Sequence, residues 1–260
     1  MADRHKKDED TVDPLYQFKI ERWAEFRLFG YDLSFTNSAF YALASTLLVI
    51  VFLVVASGKR EMVPGRMQLM SEMMYEFVAE IVRSTMGQAG WKFFPLIFTI
   101  FAFVLACNLL GMFPYFFTVT SHLAVTLALS MMVFGIVVGY GLVKHGFGFF
   151  KLFAPAGLPV WMYPLIIPIE LVSFLSRPIS LAVRLFANMM AGHALMKVFA
   201  SFVVMMGSAG GLLAAFAIIP LLANSAVIGL EFLIAFLQAY VFALLTCIYL
   251  NDIVHEHVGH

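Results

Sequence analysis

Long runs of apolar residues, separated by short polar segments, dominate this sequence. Five of the runs are long enough to cross a bilayer, which requires about 20 apolar residues. The last two are about twice that length, and at about 1.5 Å per residue they would exceed the hydrocarbon thickness, so they must be tilted or broken. The predicted spans are about 33–58, 93–113, 123–143, 161–206 and 212–250.

The pattern changes to that of an amphipathic helix at about 66–86. Apolar residues recur there at helical spacing, while Glu72, Glu76 and Glu80 line the opposite face. We expect this helix to lie along the membrane surface, with its acidic face towards water or partner proteins. The sequence therefore predicts an all-α polytopic membrane protein with five transmembrane helices, of which the last two are long and strongly tilted, plus one amphipathic surface helix.

The composition also indicates a membrane protein. Hydrophobic residues make up 62% of the chain and charged residues 12%, and the mean hydropathy is +0.92. Nearly half of the Asp, Glu, Lys and Arg residues lie within 1–32, which lacks the apolar core of a signal peptide. We expect 1–32 to be a polar extramembrane segment, 33–250 a single transmembrane domain and 251–260 a cytoplasmic tail.

Net charge and cysteine content exclude other classes of partner and site. The formal net charge is zero, so nothing indicates a nucleic-acid partner. Cys107 and Cys247 lie in separate apolar runs, which suggests packing and no disulfide or metal site. No Gly-rich phosphate loop occurs, so we expect no bound nucleotide and no cofactor.

The distribution of basic residues predicts the orientation of the chain. Lys and Arg occur in the connections at 57–92 and 144–151, and none occur at 113–122 or 206–211. By the positive-inside rule the basic connections are cytoplasmic. Five spans then place the N-terminus outside and the C-terminus in the cytoplasm.

Ionisable residues inside the fourth span are the first candidates for function. A charge at bilayer depth costs roughly 3 kcal/mol on insertion scales, so it is usually retained for a functional reason. On a helix, Glu170, Arg177, Arg184 and Asn188 fall within about 40° of one another. For Arg177 a structural ion pair at a helix end is an equally good explanation. Arg184 lies far from either end of the span.

The last span carries matching polar residues. If Arg184 and Gln238 lie level, His193 and Glu231 are displaced in the same direction by about 13 and 10 Å, and Glu170 by about 21 Å in the other. An acid and an imidazole would then share one depth, although His193 points away from the arginine face. A fixed charge with protonatable groups on both sides is the minimum for two proton paths that do not connect directly.

Three segments carry a resemblance to a known family. Residues 180–193 contain an arginine followed by Leu-Phe, a small residue and Asn-Met, and residues 231–246 and 108–114 supply two further matches. Together they resemble subunit a of the F-type ATP synthases, over a region from about residue 30 to the C-terminus. The resemblance implies a proton-channel subunit of the bacterial inner membrane that has no catalytic activity of its own.

The resemblance also implies roles and partners. Arg184 would be the family's essential arginine, which faces the carboxylates of the rotating c-ring and, because arginine stays protonated, blocks a direct proton leak. A positive charge at Arg177 would be supportive, since family members often have lysine there. The other implied partners are peripheral-stalk b-type subunits, the whole F-type ATP synthase and membrane lipid.

Five further residues match path positions of the family. Gln238 matches the glutamine near the arginine, and Asn188 lies in the arginine motif and is expected to line the path. His193 and Glu231 match two positions of the outer half-channel, with acid and imidazole exchanged relative to many bacterial members. Glu170 matches an acid on the cytoplasmic exit side.

Two other functions share some of these features. Secondary transporters also use broken helices and charges at the bilayer midplane, but this chain shows no internal repeat. A haem- or quinone-binding respiratory subunit would need paired histidines at membrane depth. Only His193 lies well inside a span, and His122 lies at a span boundary, where it and Asn108 could simply satisfy helix ends.

Overall fold

The computed structural model describes residues 22–24, 27–28, 31–32, 35–58, 64–113, 116–146, 148–149 and 160–255. Two short antiparallel strand pairs precede the first helix. Strand β1 (Arg22–Ala24) pairs with β4 (Phe35–Thr36), and β2 (Arg27–Leu28) pairs with β3 (Tyr31–Asp32). The sequence did not predict these strands, which have only two or three residues each.

Helices make up the rest of the described fold. They are α1 (Asn37–Ser57), α2 (Arg66–Met86), α3 (Phe94–Gly111), α4 (Leu123–His145), α5 (Tyr163–Ala209), α6 (Gly211–Phe216) and α7 (Ile218–His255). Five helices are long and apolar enough to cross a membrane, which confirms the predicted all-α class. Helix α7 continues to His255, beyond the predicted end at about 250, and short 3-10 turns occur at Gly87–Lys92, Val119–Ser121 and Val160–Met162.

The chain divides into two compact units. The first contains the described residues up to Phe52, together with Phe103–His122 and Leu185–Gln238. The second contains Leu53–Ala102, Leu123–Arg184 and the described residues from Ala239 onwards. The extramembrane assignment of 1–32 and 251–260 stays a prediction.

In the first unit, polar caps and aromatic contacts fix the start of α1. The side-chain oxygen of Thr36 accepts a hydrogen bond from the amide of Ala39 at 3.3 Å, as an N-cap residue does. Tyr41 packs on Phe116 and Phe117, with ring centroids 5.7 and 6.2 Å apart. The start of α1 is thereby held against the segment that precedes α4.

The turn between α5 and α6 depends on glycine. Gly210 and Gly211 have φ angles of 69° and 60°, in the region that side chains with a Cβ rarely adopt. The chain can therefore reverse there within a few residues. The two long apolar runs predicted from the sequence are separated at this point.

In the second unit, α2 is amphipathic as predicted. Val78, Ile81 and Val82 are buried, and Phe77 packs against Phe101 at 5.6 Å. The glutamates of the opposite face are exposed: Glu72, Glu76 and Glu80. Burial of one apolar face is the main stabilising contribution to such a helix.

Helix α5 continues through two internal prolines, Pro168 and Pro178. Proline has no amide hydrogen and removes one bond from the helix ladder. At the second site, Ser130 of α4 donates a hydrogen bond to the carbonyl oxygen of Pro178 at 2.6 Å. This hydrogen bond attaches α5 to α4 beside the second proline.

Candidate functional site

A buried acid and a buried imidazole meet in the first unit. His193 of α5 and Glu231 of α7 approach each other with Nδ1 and Oε1 3.5 Å apart, and their side chains are 6% and 2% exposed. The distance is within ion-pair range and slightly beyond that of a usual N–H···O hydrogen bond. The structure therefore brings together the two groups that the sequence placed at a common depth.

The Glu231 side chain lies directly against the backbone of α5. A Cβ atom added at Gly192 would be 2.7 Å from Oε1 of Glu231 and 3.0 Å from its Cδ, which is too close for any real Cβ contact. Only glycine leaves room for the carboxyl group in this position. Gly192 is adjacent to His193 but was not predicted as a site residue from the sequence.

The carboxyl group of Glu231 is unusual in its surroundings. Both of its oxygens are buried, and neither accepts a hydrogen bond from the part of the chain that the structure describes. Buried polar atoms in proteins are normally hydrogen-bonded, so a carboxyl group without such a bond is explained by an ordered water, a bound ion or a functional role. Exchange of a proton with a neighbouring base is one such function.

Two threonines and an asparagine from elsewhere in the chain lie beside this pair. Thr118, which is buried, lies with its Oγ1 3.0 Å from Nε2 of His193. Thr120 donates a hydrogen bond to Oδ1 of Asn108 at 2.9 Å, and Asn108 donates one to the carbonyl oxygen of Ala235 at 3.2 Å. Neither threonine was predicted from the sequence, where their polarity between two apolar runs was the one signal available.

A second polar contact joins α5 to α7 in this unit. Nδ2 of Asn188 donates a hydrogen bond to Oε1 of Gln238 at 3.0 Å, and Gln238 is buried. From the sequence, Gln238 and Arg184 were assumed to lie at the same depth. In the structure Gln238 is hydrogen-bonded to Asn188, which lies one helical turn after Arg184 on α5. Nε2 of Gln238 has no hydrogen-bond acceptor among the described residues.

Arg184, in the second unit, differs from these buried groups. It is exposed on α5, next to the exposed Val183, whereas Leu181 and Leu185 are fully buried. No ion pair or hydrogen bond of Arg184 is found within the described ranges.

Arg177 forms a structural ion pair, which is one of the explanations that the sequence left open for it. Its Nη1 lies 2.9 Å from Oδ2 of Asp252, and its guanidinium group also stacks over Tyr249 and Phe174 at 5.3 and 5.7 Å. The sequence analysis missed Asp252, which lies just beyond the predicted end of the last span. Glu170 lies on the same helix and is half-buried.

The C-terminal end of α7 is held by cationic and imidazole groups of α4. Lys144 donates a hydrogen bond to the carbonyl oxygen of Val254 at 3.0 Å, and Nε2 of His145 donates one to that of Ile253 at 2.9 Å. Donors and positive charges at a helix C-terminus satisfy its free carbonyl groups. This explains why α7 stays helical to His255.

His122 lies in the turn before α4 and contributes packing. Its ring stacks on Phe117 with centroids 4.9 Å apart and an interplanar angle of 15°. Burial lowers the pKa of His122 below its usual value of 6.5, because a charged ring would lose solvation. The neutral ring suits an aromatic stack at neutral pH.

Comparison with known proteins gives consistent matches along the chain. The family model described as "ATP synthase A chain" matches residues 39–251. The ATP synthase subunit a of Mesorhizobium japonicum is 55% identical over 246 residues, which cover 95% of this chain and 98% of the relative. Those of Brucella canis and Brucella suis are 54% identical over 248 residues, covering 95% of this chain and 99% of each relative.

Proposed function

The chain belongs to the ATP synthase A chain family, and from that premise we propose that it forms two offset half-channels separated by Arg184. It is a multi-pass membrane subunit of an F-type ATP synthase with a role in proton translocation and no catalytic activity of its own. In the proposed mechanism, protons cross the membrane only by travelling on the carboxylates of a rotating c-ring, so that their flow is coupled to ATP synthesis.

The observation that carries this proposal is the exposed position of Arg184 on a membrane-spanning helix. A charge at membrane depth is normally paired or faces a water-filled cavity. The described part of the chain supplies no partner, which supports an acidic group on a neighbouring subunit. An arginine stays protonated at that site, so it can attract a ring carboxylate without passing a proton across.

The buried pair of His193 and Glu231 supports a path on the outer side of the membrane. Both groups can gain and lose a proton, and they lie within 3.5 Å of each other in a site closed by the protein. Neither is exposed enough to act as an ordinary surface charge. We assign them to the half-channel that delivers protons from outside to the ring.

The remaining site residues fit the proposed pathway. The hydrogen bond between Asn188 and Gln238 holds two polar side chains in place between α5 and α7. Glu170, half-buried near the start of α5, is assigned to the cytoplasmic exit path. The proposal includes an external N-terminus, a cytoplasmic C-terminus, and b-type stalk subunits as stator partners.

Family membership also favours this proposal over the alternatives raised by the sequence. A secondary transporter and a haem- or quinone-binding respiratory subunit share the long broken helices and the membrane-embedded charges. The family model and the relatives extend over nearly the whole spanning region and support neither alternative. The arrangement of ionisable groups is therefore attributed to rotary proton transfer.

Substitution of Arg184 tests the proposal. In the assembled ATP synthase, Arg184→Ala should abolish ATP-driven acidification of inverted membrane vesicles, measured by quenching of a pH-sensitive dye. Arg177→Ala is the matched control, because it removes a guanidinium group seven residues away that is used in an internal ion pair. Coupled pumping at the normal rate by an assembled Arg184→Ala complex would refute the proposal.

A further inference from the structure

The two ring nitrogens of His193 have different neighbours. Nδ1 faces Oε1 of Glu231 at 3.5 Å, and Nε2 lies 3.0 Å from Oγ1 of Thr118. A neutral imidazole carries one proton, on either nitrogen, and the hydrogen bond made by one nitrogen determines the state of the other. What Thr118 does with its hydroxyl group therefore decides which nitrogen of His193 is available to Glu231.

Thr118 has a second contact that fixes the direction of its hydrogen bonds. Its Oγ1 lies 3.3 Å from the carbonyl oxygen of Gly111, and a carbonyl oxygen can only accept. When Thr118 donates its single hydroxyl proton to Gly111, its oxygen can only accept a hydrogen bond from Nε2 of His193. Both contacts can be hydrogen bonds only if Nε2 of His193 carries a proton and donates it to Thr118.

We propose that Thr118 is a positioning residue that holds His193 in its Nε2–H form and leaves Nδ1 as the nitrogen that exchanges a proton with Glu231. This inference rests on the proposed role of His193 and Glu231 in the outer path. In the exchange, the proton on Oε1 of Glu231 moves to Nδ1, which gives a carboxylate and an imidazolium. Its return to Oε1 restores the neutral pair, and no other bond changes.

The surroundings of Thr118 are built to keep it in place. A Cβ atom at Gly111 would lie 2.7 Å from Cγ2 of Thr118 and 3.0 Å from its Oγ1, so glycine is required for this close approach. Two residues later, Thr120 is hydrogen-bonded to Asn108, which in turn bonds to the backbone of α7 at Ala235. The segment is therefore anchored to the helix that carries Glu231, one turn away.

The role predicts a specific consequence of removing the hydroxyl group. In Thr118→Val the side chain keeps its shape, but the hydroxyl oxygen that accepts from Nε2–H of His193 is removed. That hydrogen bond then no longer favours the Nε2–H tautomer, so the Nδ1–H tautomer becomes populated. A proton on Nδ1 prevents this nitrogen from accepting a proton from Glu231. We expect proton flux to fall about 10- to 100-fold, as when a partner that fixes a histidine tautomer is lost at a metal site.

The experiment measures passive proton flux through the membrane sector after the soluble sector has been stripped from vesicles that contain the assembled complex. Thr118→Val should slow the flux as stated, and Thr118→Ser, which keeps the hydroxyl group, should restore most of it. Thr246→Val is the matched control, because Thr246 is also buried and, among the residues that the structure describes, its hydroxyl bonds only to the carbonyl oxygen of Phe242 in its own helix. That control should conduct normally.

A spectroscopic measurement separates positioning from simple packing. The complex is labelled with ¹⁵N-histidine, and the His193 signals are identified by their loss in His193→Gln. In the wild type, a neutral His193 should show its proton on Nε2, and in Thr118→Val the Nδ1–H form should appear. An Nδ1–H ring in the wild type would overturn the inference without the need for any Thr118 variant.

The remaining outcomes distinguish this inference from the proposed function. Normal flux in Thr118→Val combined with slow flux in Glu231→Gln would overturn the role of Thr118 and leave the outer path intact. Normal flux in both variants would overturn the path itself. Slow flux in Thr118→Val with an unchanged His193 tautomer would show a packing role and would also contradict the inference.

Discussion

Two pairs of oppositely ionisable residues in this protein differ in almost every physical respect. Arg177 and Asp252 lie 2.9 Å apart with side chains 29% and 37% exposed. His193 and Glu231 lie 3.5 Å apart, are almost completely buried, and leave both carboxyl oxygens without a hydrogen bond from the described chain. The first pair combines an arginine with an aspartate in a direct contact, whereas the second combines two groups that can each gain or lose a proton.

The difference indicates that ionisable side chains on these helices serve two purposes in this chain. A direct Arg–Asp contact, supported by the aromatic rings of Tyr249 and Phe174, ties helices together and needs no change of protonation. A buried His–Glu pair contributes little as a permanent ion pair between helices, because either group can become neutral. Arg184 belongs to neither class, since its guanidinium group has no ion pair among the residues that the structure describes.

The largest expected effect separates the two arginines of α5. Arg184→Lys should abolish coupled proton pumping, because a desolvated lysine can lose its proton whereas arginine cannot. Arg177→Lys keeps a positive charge near Asp252 and should retain most of the activity. ATP-driven dye quenching in inverted vesicles measures the pumping activity of both variants. Equal activity would contradict the proposal that Arg184 blocks the proton leak while Arg177 serves only an internal ion pair.

The next effect separates the two acids of α7. Glu231→Gln removes a proton-exchanging group from the buried pair and should slow passive flux by about 100-fold, the low end of what a positioned proton-transfer group contributes. Asp252→Asn removes a carboxylate from the structural pair and should leave flux close to normal. A larger loss in Asp252→Asn than in Glu231→Gln would reverse the assignment.

A smaller effect tests the geometry of the buried pair. Gly192→Ala places a methyl group where Oε1 of Glu231 lies and should move the carboxyl group away from His193. We expect flux to fall about tenfold, less than the roughly 100-fold that a 1 Å displacement can cost, because the glutamate side chain is flexible. Gly229→Ala is the control, since a Cβ at that position meets no atom within 4 Å. Unchanged flux in Gly192→Ala would argue that the close contact has no functional role.

The smallest effect concerns stability. A double-mutant cycle with Arg177→Ala and Asp252→Ala should give a coupling energy of about 0.2–1 kcal/mol, because both side chains are partly exposed and screened by solvent. Thermal dissociation of the detergent-purified complex at low and high salt measures it. The coupling should decrease as salt increases, and a salt-independent value would indicate that the pair is more deeply desolvated than its exposure suggests.

The sequence predicted the helices well because their signals are local. Each span requires a continuous apolar run, and α2 requires an apolar face at helical spacing, both of which can be read from neighbouring residues. The ends were less accurate: α7 extends to His255 because Lys144 and His145, more than 100 positions away in the chain, hydrogen-bond to its last carbonyl groups. The short strands β1–β4 had no pattern strong enough to predict.

Several residues of the candidate site could be named from the sequence, but most of the contacts between them could not. A charged or amide side chain inside an apolar run stands out, which is why Arg184, His193 and Glu231 could be named from the sequence. Thr118 and Gly192 could not, because threonine and glycine are common in membrane helices and turns. Their importance comes from an atom of another segment lying within about 3 Å, which sequence spacing does not reveal.

The sequence by itself determined how many helices can cross the membrane, which one is amphipathic, and which side chains can carry charge or exchange a proton. These properties follow from apolar length, periodicity and residue chemistry. The tertiary structure decided that His193 meets both Glu231 and Thr118, the latter 75 positions away in the chain, and that Arg177 is paired while Arg184 is exposed. Those outcomes depend on the rotation and packing of long helices, and a contact between distant residues is fixed only when the whole chain folds.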